Sequence, residues 1–276
     1  MSRQRGWSRG PAFVKTLMGA LLWSAMSVNA TAQAPYRVVS QFDGPGFPNG
    51  AHPASKLSRG PDGALWGVTP VGGLGADGNG VVFKIDPTGE VSTVARFVRD
   101  AGPSQPTSPL VFDGDGNAYG TAQGLSGSDA LFKLDPDGGL SILADLPRGT
   151  LGNIVRTGDG SFFGVTYAGG ESSLGGVYRV DAAGLVELLH SFNGTDGVYP
   201  SDGLILASDG NLYGTTAGDG VLSLGSVYRV SPEGAFTLLH SFQADGGGVR
   251  PAAGVVQGVD GDLYGVTIAG GSNGLG

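Results

Sequence analysis

The sequence predicts an all-β protein, a β-propeller of about five four-stranded blades with the last blade incomplete; an open β-repeat array or solenoid is the alternative. Three observations predict it. An eight-residue phrase recurs five times, opening at Asp62, Asp115, Asp159, Asp209 and Asp260, with spacings of 53, 44, 50 and 51 residues. Other apolar phrases accompany each copy in a fixed order. After residue 35, no stretch carries apolar residues at a helical period. Four short strands in a unit of about 45–50 residues match the arithmetic of a propeller blade.

The elements follow in order. The repeated phrase, as in Asp209-Gly-Asn-Leu-Tyr-Gly-Thr-Thr216, begins with an Asp-Gly turn signal and continues in residues that favour extended backbone. A short apolar run before four of the five turns supplies the preceding strand: Leu110–Phe112, Ile154–Val155, Leu204–Leu206 and Val255–Val256. After the phrase comes a third strand, seen in Val82-Phe-Lys-Ile-Asp-Pro87, Leu131-Phe-Lys-Leu-Asp-Pro136, Val177-Tyr-Arg-Val-Asp181 and Val227-Tyr-Arg-Val-Ser-Pro232. In the first of these, Val81, Phe83 and Ile85 fall on one face and Val82 and Lys84 on the other. A fourth strand closes the unit, plainest in Leu188-Leu-His-Ser-Phe192 and Leu238-Leu-His-Ser-Phe242. Complete units therefore span 57–97, 109–146, 151–192 and 203–242, and a partial unit spans 254–276. Residues 36–42 resemble a fourth strand without the rest of its unit. Residues 36–276 read as one repeat domain. Residues 269–276 align with 168–175, so the chain stops where a third strand is due. It reads as a piece of a longer repeat protein, or else as a ring whose fifth blade closes short of a strand. An unpaired edge there invites self-association.

Residues 1–32 have another character. Arg3, Arg5, Arg9 and Lys15 precede an apolar run from Leu17 to Val28, and small residues follow. That pattern predicts a secretory signal peptide cleaved after Ala30 or Ala32, and hence an exported protein, extracellular or periplasmic. The run is too short for a transmembrane helix, which needs about 20 apolar residues.

Without that segment, 12 basic residues face 24 acidic ones. So acidic a surface repels phosphate backbones and argues against nucleic acid as a partner. The chain has no cysteine, which excludes disulfides, thiol catalysis and cysteine-ligated metals. Its 53 glycines recur at fixed places within the unit and show no collagen-like period.

The recurring phrases D-G-x-L-Y-G-T/V-T, G-x-V-Y/F-R/K-V-x-P-x-G and L-L-H-S-F resemble the GloVer tandem repeats of bacterial "choice-of-anchor" exported proteins. The likeness covers nearly all of residues 36–276. It implies a propeller-like, extracytoplasmic repeat protein, and it supplies no catalytic residues. No C-terminal anchor follows the repeats in this sequence, a departure from the family pattern that suits a truncated end.

Searching for chemistry yields few candidates. Gly67, Gly120, Gly164, Gly214 and Gly265 lie inside the second strand of every unit, where glycine calls for a close approach. Crowding of inner strands toward the axis is the expected reason. His190 and His240 occupy the same place in successive units, which marks them as residues of the fold. His52 lies in a Pro/Gly-rich stretch with no partner motif, and no Ser-His-Asp set or zinc-ligand cluster can be argued from spacing. Lys84, Lys133, Arg179 and Arg229 form a column of one cation per unit, read as an exposed face pairing with nearby acids. Gly73 to Gly78 matches G-x-G-x-x-G without the strand–turn–helix context of a dinucleotide site. Asp113, Asp115 and Asn117 alternate oxygen ligands like the start of a calcium loop, but the distal glutamate is missing. Calcium is therefore the one cofactor candidate, and a weak pattern.

The functional expectation is a non-enzymatic binding or scaffold module at the cell surface or in the periplasm. Its ligand would be a glycan, a peptide or cell-envelope material, met by the loops at 70–80, 123–129, 167–176 and 217–226. The alternative is a propeller enzyme (a lyase, lactonase or hydrolase) with a metal or an acid/base site at the axis. Three or more carboxylates or imidazoles lining the central channel would favour the enzyme.

Overall fold

A computed structural model describes residue 42 and residues 50–73, 78–98, 102–124, 127–200, 202–218 and 224–276. The expected signal peptide at 1–32 and all of the 36–42 strand except Phe42 lie outside the described residues, as do parts of the expected binding loops at 70–80, 123–129 and 217–226. Every regular element among the described residues is a β-strand. The first sheet is a meander of β1 (Ser58–Arg59), β2 (Leu65–Thr69), β3 (Gly78–Ile85) and β4 (Val91–Val98). The second comprises β5 (Val111–Phe112), β6 (Ala118–Gln123), β7 (Asp129–Leu134) and β8 (Leu140–Leu146). The third runs β9 (Thr150–Arg156), β10 (Phe162–Thr166), β11 (Gly176–Val180) and β12 (Val186–Ser191). In the fourth, β13 (Val198–Pro200) and β14 (Ile205–Leu206) both pair with β15 (Leu212–Gly218), followed by β16 (Ser226–Val230) and β17 (Phe236–Ser241). The fifth unit pairs β18 (Gly248–Pro251) with β21 (Thr267–Gly270), and β19 (Val256–Gln257) with β20 (Leu263–Tyr264).

The Asp-Gly turns make the first hairpin of each unit. At residues 207–210 the Gly210 N–H donates to Ala207 O, Gly210 takes φ +81°, and the Asp209 carboxylate accepts the Asn211 N–H. A left-handed glycine closing such a turn lets the strands leave with their natural twist.

Burial runs between sheets. The cluster of Val68, Val82 and Phe97 with Leu110, Phe132 and Leu134 joins the first two sheets, and equivalent clusters join the second to the third, the third to the fourth, and the fourth to the fifth unit. Because sheets pack on both faces, Val81, Val82 and Phe83 are all buried although they alternate in direction. Aromatic pairs mark the joints: Phe97 meets Phe132 at 5.2 Å and Phe192 meets Tyr228 at 5.1 Å, each near-perpendicular. Phe42 lies 5.0 Å from Phe83 in the same relation, so this residue of the expected N-terminal strand packs where a fourth-strand phenylalanine of a preceding unit would.

In the first, second, fourth and fifth units, pairing of the first strand begins N-terminal to the repeated aliphatic run, at Ala51, Ser104, Val198 and Gly248. Between that start and the run the strand is broken. In the fifth unit, residues 252–255 stand opposite only residues 265 and 266. In the third sheet, residues 152–154 stand opposite Gly164 alone. A left-handed residue opens each break at the same repeat position: His52 (φ 58°), Gln105 (51°), Gly149 (82°), Tyr199 (55°) and Arg250 (59°). Three of these donate their N–H to the previous unit, Gln105 to Asn79 O, Tyr199 to Leu174 O and Arg250 to Leu224 O, which latches one unit to the next. His52, unassigned in the sequence, is the first member of this series.

The broken first strands converge. Lys56 Nζ of the first unit lies 3.5 Å from Asp202 Oδ2 of the fourth. An open array or solenoid would hold units that far apart in sequence away from each other, whereas sheets arranged around an axis bring their inner strands together. The architecture is a β-propeller.

Candidate functional site

The converging breaks line a cavity of about 590 Å3. The residues that reach it stand one to three places before the repeated aliphatic that ends each break. Lys56 precedes Leu57, Asn153 precedes Ile154, and Asp202 stands two before Leu204. Thr121, Gln123 and Asp129, which flank the loop of the second sheet, and Arg148 and Thr150, which lead into the third, complete the wall.

The chemistry of this wall is charged in both senses. Asp202 Oδ2 accepts the Gly254 N–H at 3.2 Å and faces Lys56 at 3.5 Å, while Oδ1 accepts the Gly203 N–H at 3.0 Å. The Lys56 side chain is 77% exposed, so this pair contributes little stability and leaves the ammonium available to solvent or solute. Burial pushes the Asp129 carboxyl above its ordinary range, against the pull of the Thr150 and Gly149 N–H groups and the Arg148 charge. Its Oδ2 accepts the Thr150 N–H at 2.7 Å. At this joint a carboxylate binds the Gly149 N–H, whereas backbone carbonyls of the preceding unit take the equivalent N–H groups of Gln105, Tyr199 and Arg250. Asn153 donates to Leu204 O at 2.8 Å, tying the third sheet to the fourth across the break.

Of these cavity residues, only Gln123 and Asp129 lie in a loop that the sequence marked for binding; Lys56, Arg148, Asn153 and Asp202 did not stand out. They vary in type from unit to unit, and their common feature is position, just before the repeated aliphatic. The cavity presents Asp129 and Asp202 and no imidazole among the described residues, short of the three ligands that would have favoured an axial metal. No group of three or more histidine, aspartate or glutamate side chains poised for a metal exists among the described residues.

The residues singled out in the sequence lie elsewhere. Gly67, Gly120, Gly164 and Gly214 register opposite Phe83, Phe132, Tyr178 and Tyr228 of the third strand, whose rings lie over them. A Cβ at these four positions would come within 2.5–2.7 Å of a ring atom. A cross-strand aromatic is seated on each of these bare backbones, and at Gly67, Gly120 and Gly214 a leucine of the first strand (Leu57, Leu110 and Leu204) also comes within 2.8–3.0 Å of the Cβ position. Gly265 has no ring above it, only Val255 Cγ1 at 3.3 Å from the Cβ position.

His190 stacks on Phe236 of the next sheet at 3.7 Å and 7°, and its Nε2 meets Asp196 Oδ2 at 3.0 Å. His240 repeats the edge-on contact with the following phenylalanine, Phe242 at 4.8 Å, but is exposed. Asp113 accepts the backbone N–H groups of Asp115 and Asn117, the Asn117 side-chain N–H at 2.8 Å and the Tyr119 hydroxyl at 2.8 Å. Donors therefore occupy the carboxylate that the calcium pattern would use, and Asn117 presents its NH2 rather than its oxygen to Asp113. In the cation column, Lys84 pairs with Asp62 at 3.4 Å and Arg179 with Asp159 at 3.6 Å, each basic side chain reaching the Asp-Gly turn of its own sheet.

Comparison with solved structures gives low-identity likenesses. The chain is similar to a "putative gluconolactonase" at 15% identity and TM-score 0.49, covering 76% of this chain and 76% of that one. It is similar to a putative TolB from Agrobacterium tumefaciens at 18% identity and TM-score 0.47, covering 67% and 61%. It is also similar to YCF48 bound to D1 peptide at 15% identity and TM-score 0.44, covering 68% and 52%. The chain thus spans less than two thirds of the latter two. A search of curated proteins finds no match. A family model described as the Gloeobacter/Verrucomicrobia repeat matches residues 130–276, from the third strand of the second sheet to the last residue. The recurring phrases, the sheets they build and this match agree: the chain belongs to the Gloeobacter/Verrucomicrobia repeat family.

Proposed function

We propose that this protein is an exported, non-enzymatic binding module whose ligand seat is the axial cavity, and that the ligand is a small glycan or short peptide. The observation that carries this reading is the convergence of Lys56, Arg148, Asp129 and Asp202 on one cavity of about 590 Å3. That volume falls within the range of about 300–1,000 Å3 typical of small-molecule sites. Cations, carboxylates, the Asn153 and Gln123 amides and threonine hydroxyls give paired donors and acceptors, which suits a ligand rich in hydroxyls or carrying charge of both signs. A seat built on strand breaks around a rigid scaffold is pre-organised, and so loses little entropy on binding. Export rests on the basic, apolar and small-residue succession of residues 1–32.

The test is a binding screen of the purified chain against glycans, cell-wall fragments and short peptides, repeated with Asp202→Ala and Arg148→Ala. Saturable binding that either substitution weakens at least tenfold supports the proposal. The absence of any binder, or binding indifferent to both substitutions, overturns it. N-terminal sequencing of the chain recovered outside the cytoplasm tests export: a start after Ala30 or Ala32 supports it, and an intact Met1 in the cytoplasmic fraction overturns it.

A further inference from the structure

Tyr167 and Tyr199 stack on each other where the third sheet meets the fourth, their ring centroids 4.7 Å apart and their planes 17° from parallel. Tyr167 is 45% exposed. The repeat fixes where this pair stands. Tyr167 follows the Asp159 turn at the distance by which Gln123 follows the Asp115 turn. Tyr199 takes the left-handed place that Gly149 takes in the third unit. Gln123 and Gly149 both line the axial cavity, so the two tyrosines continue its rim by one unit. The join is direct, because the Tyr167 N–H donates to Gly149 O at 2.7 Å. On the other side, Asp202 of the cavity wall follows shortly after Tyr199 in the chain.

The fold does not require this pair. At the Tyr199 position the other units carry His52, Gln105, Gly149 and Arg250, and at the Tyr167 position they carry Pro70, Gln123, Ala217 and Ile268. The latch between units is made by backbone groups, from Gln105 to Asn79 and from Arg250 to Leu224 as well as from Tyr199 to Leu174, and it needs no ring. Tyr199 also sits at φ 55°, a left-handed backbone that costs a bulky side chain energy and suits glycine, as Gly149 shows at φ 82°. A strained tyrosine kept where glycine fits, and stacked on an exposed one, points to a use for the ring surface.

What that surface recognises follows from its chemistry. The face of an aromatic ring is electron-rich and attracts C–H groups that carry partial positive charge. A pyranose ring with equatorial substituents offers a flat face of axial C–H bonds, while its hydroxyls point outward from the ring edge. Hydroxyls directed toward the cavity would find the Asp202 carboxylate and the Gln123 amide in the wall. A peptide is recognised otherwise, through an open strand edge or through apolar slots for its side chains. At this rim the N–H groups of Tyr167 and Tyr199 are already bonded, and the apolar wall residues Ala54, Pro109 and Ala122 form no deep slot. We propose that the Tyr167–Tyr199 stack is a sugar-binding subsite on the rim of the axial cavity. The ligand is then an oligosaccharide with one pyranose ring on Tyr167 and its neighbour in the cavity. This inference rests on the axial cavity as the ligand seat, and it narrows the ligand from glycan or peptide to glycan.

The test titrates the full chain with cellotetraose, with the tetramer of N-acetylglucosamine and with a set of tetrapeptides, followed by calorimetry. At least one of the two saccharides should bind saturably. Tyr167→Ala should weaken that binding at least fivefold, whereas Tyr167→Phe, which keeps the ring face, should leave it within twofold. Proton NMR should show the sugar C–H resonances shifted upfield by the parent and by Tyr167→Phe, and unshifted by Tyr167→Ala. A thermal melt matching the parent checks that Tyr167→Ala folds; if it melts early, Tyr167→Leu, which keeps bulk without an aromatic face, replaces it with the same expectation. Weakening by Asp202→Ala with no effect of Tyr167→Ala overturns the subsite and leaves the axial seat standing. Weakening by Tyr167→Ala with no effect of Asp202→Ala keeps the tyrosine surface and overturns the axial seat. Binding of peptides alone overturns the glycan assignment and spares the axial seat, and failure of every probe to bind overturns both.

Discussion

Replacing Gly164 by alanine asks directly whether the repeated glycine exists for its aromatic partner. A Cβ there would lie 2.3 Å from Tyr178 Oη and 2.5 Å from Tyr178 Cζ. Tyr178 is 1% exposed and packed in the cluster that joins the second and third sheets, with Tyr119, Leu131 and Phe162, so its ring has little room to retreat. Overpacking of this kind costs about 1–3 kcal/mol. The better strand preference of alanine gives back about 0.5–1 kcal/mol. The net loss should lower the melting temperature by about 2–4 °C per kcal/mol in a domain of this size. Gly265→Ala is the internal control, because its Cβ would meet only Val255 Cγ1 at 3.3 Å. That substitution should be neutral or slightly stabilising. Urea unfolding followed by the fluorescence of Trp66 gives both values. Combining Gly164→Ala with Tyr178→Leu should cost less than the two changes taken separately, because the smaller side chain vacates the contested space. Equal destabilisation by Gly164→Ala and Gly265→Ala, or strict additivity in the double variant, would refute the aromatic explanation.

Further expectations rest on single groups. The Tyr228 hydroxyl is buried without a hydrogen-bond partner among the described residues, while Phe83 and Phe132 hold the same place in other sheets. Tyr228→Phe should therefore be neutral or stabilising by up to about 1 kcal/mol in thermal unfolding. Burial raises the Asp113 carboxyl, but hydrogen bonds from Asn117, Tyr119 and two backbone N–H groups outweigh it and hold its pKa at about 2, against 3.8 ordinarily. A lowered acid pKa gives stability that is present above 3.8 and lost as pH falls toward about 2, so acid unfolding of Asp113→Asn should show a weaker pH dependence in that window. Burial lowers the His190 pKa below 6.5, opposed by the Asp196 carboxylate. The neutral imidazole thus favours the fold, and stability should decline as pH falls below about 6.5. In His190→Gln, melting temperatures measured from pH 7.5 to 5.5 should lose that slope.

The sequence exposes most of this fold because the strands repeat. Five copies of one phrase gave the strand boundaries, the hairpin turns and the grouping into sheets, since each phrase carries its own turn signal and period. Other features were hidden for physical reasons. The outer halves of the first strands, such as Val198–Pro200, contain a left-handed residue followed by proline and look like loop. The glycines stand out, but their cause depends on which residue registers opposite, and that emerges only when the strands are paired. Lys56, Arg148, Asn153 and Asp202 are invisible to a search for recurrence, because residues of different type from different units build the site. Asp113 draws notice in one dimension for its alternating oxygen pattern, whereas the bonds it accepts from Asn117 and Tyr119 emerge only once the hairpin turn is folded.

The interfaces between sheets have a consequence for how such a chain changes over generations. Each buried cluster is shared by two successive units, and the joints use the same positions throughout. No unit owns a complete core, so a single unit cut out of the chain has nothing to fold around. Yet any unit can be lost or duplicated between equivalent positions, and the surfaces brought together will already match. The repeat is therefore a unit of inheritance without being a unit of folding, and gene rearrangement can alter the number of blades more readily than point mutation can alter the joint between any two of them.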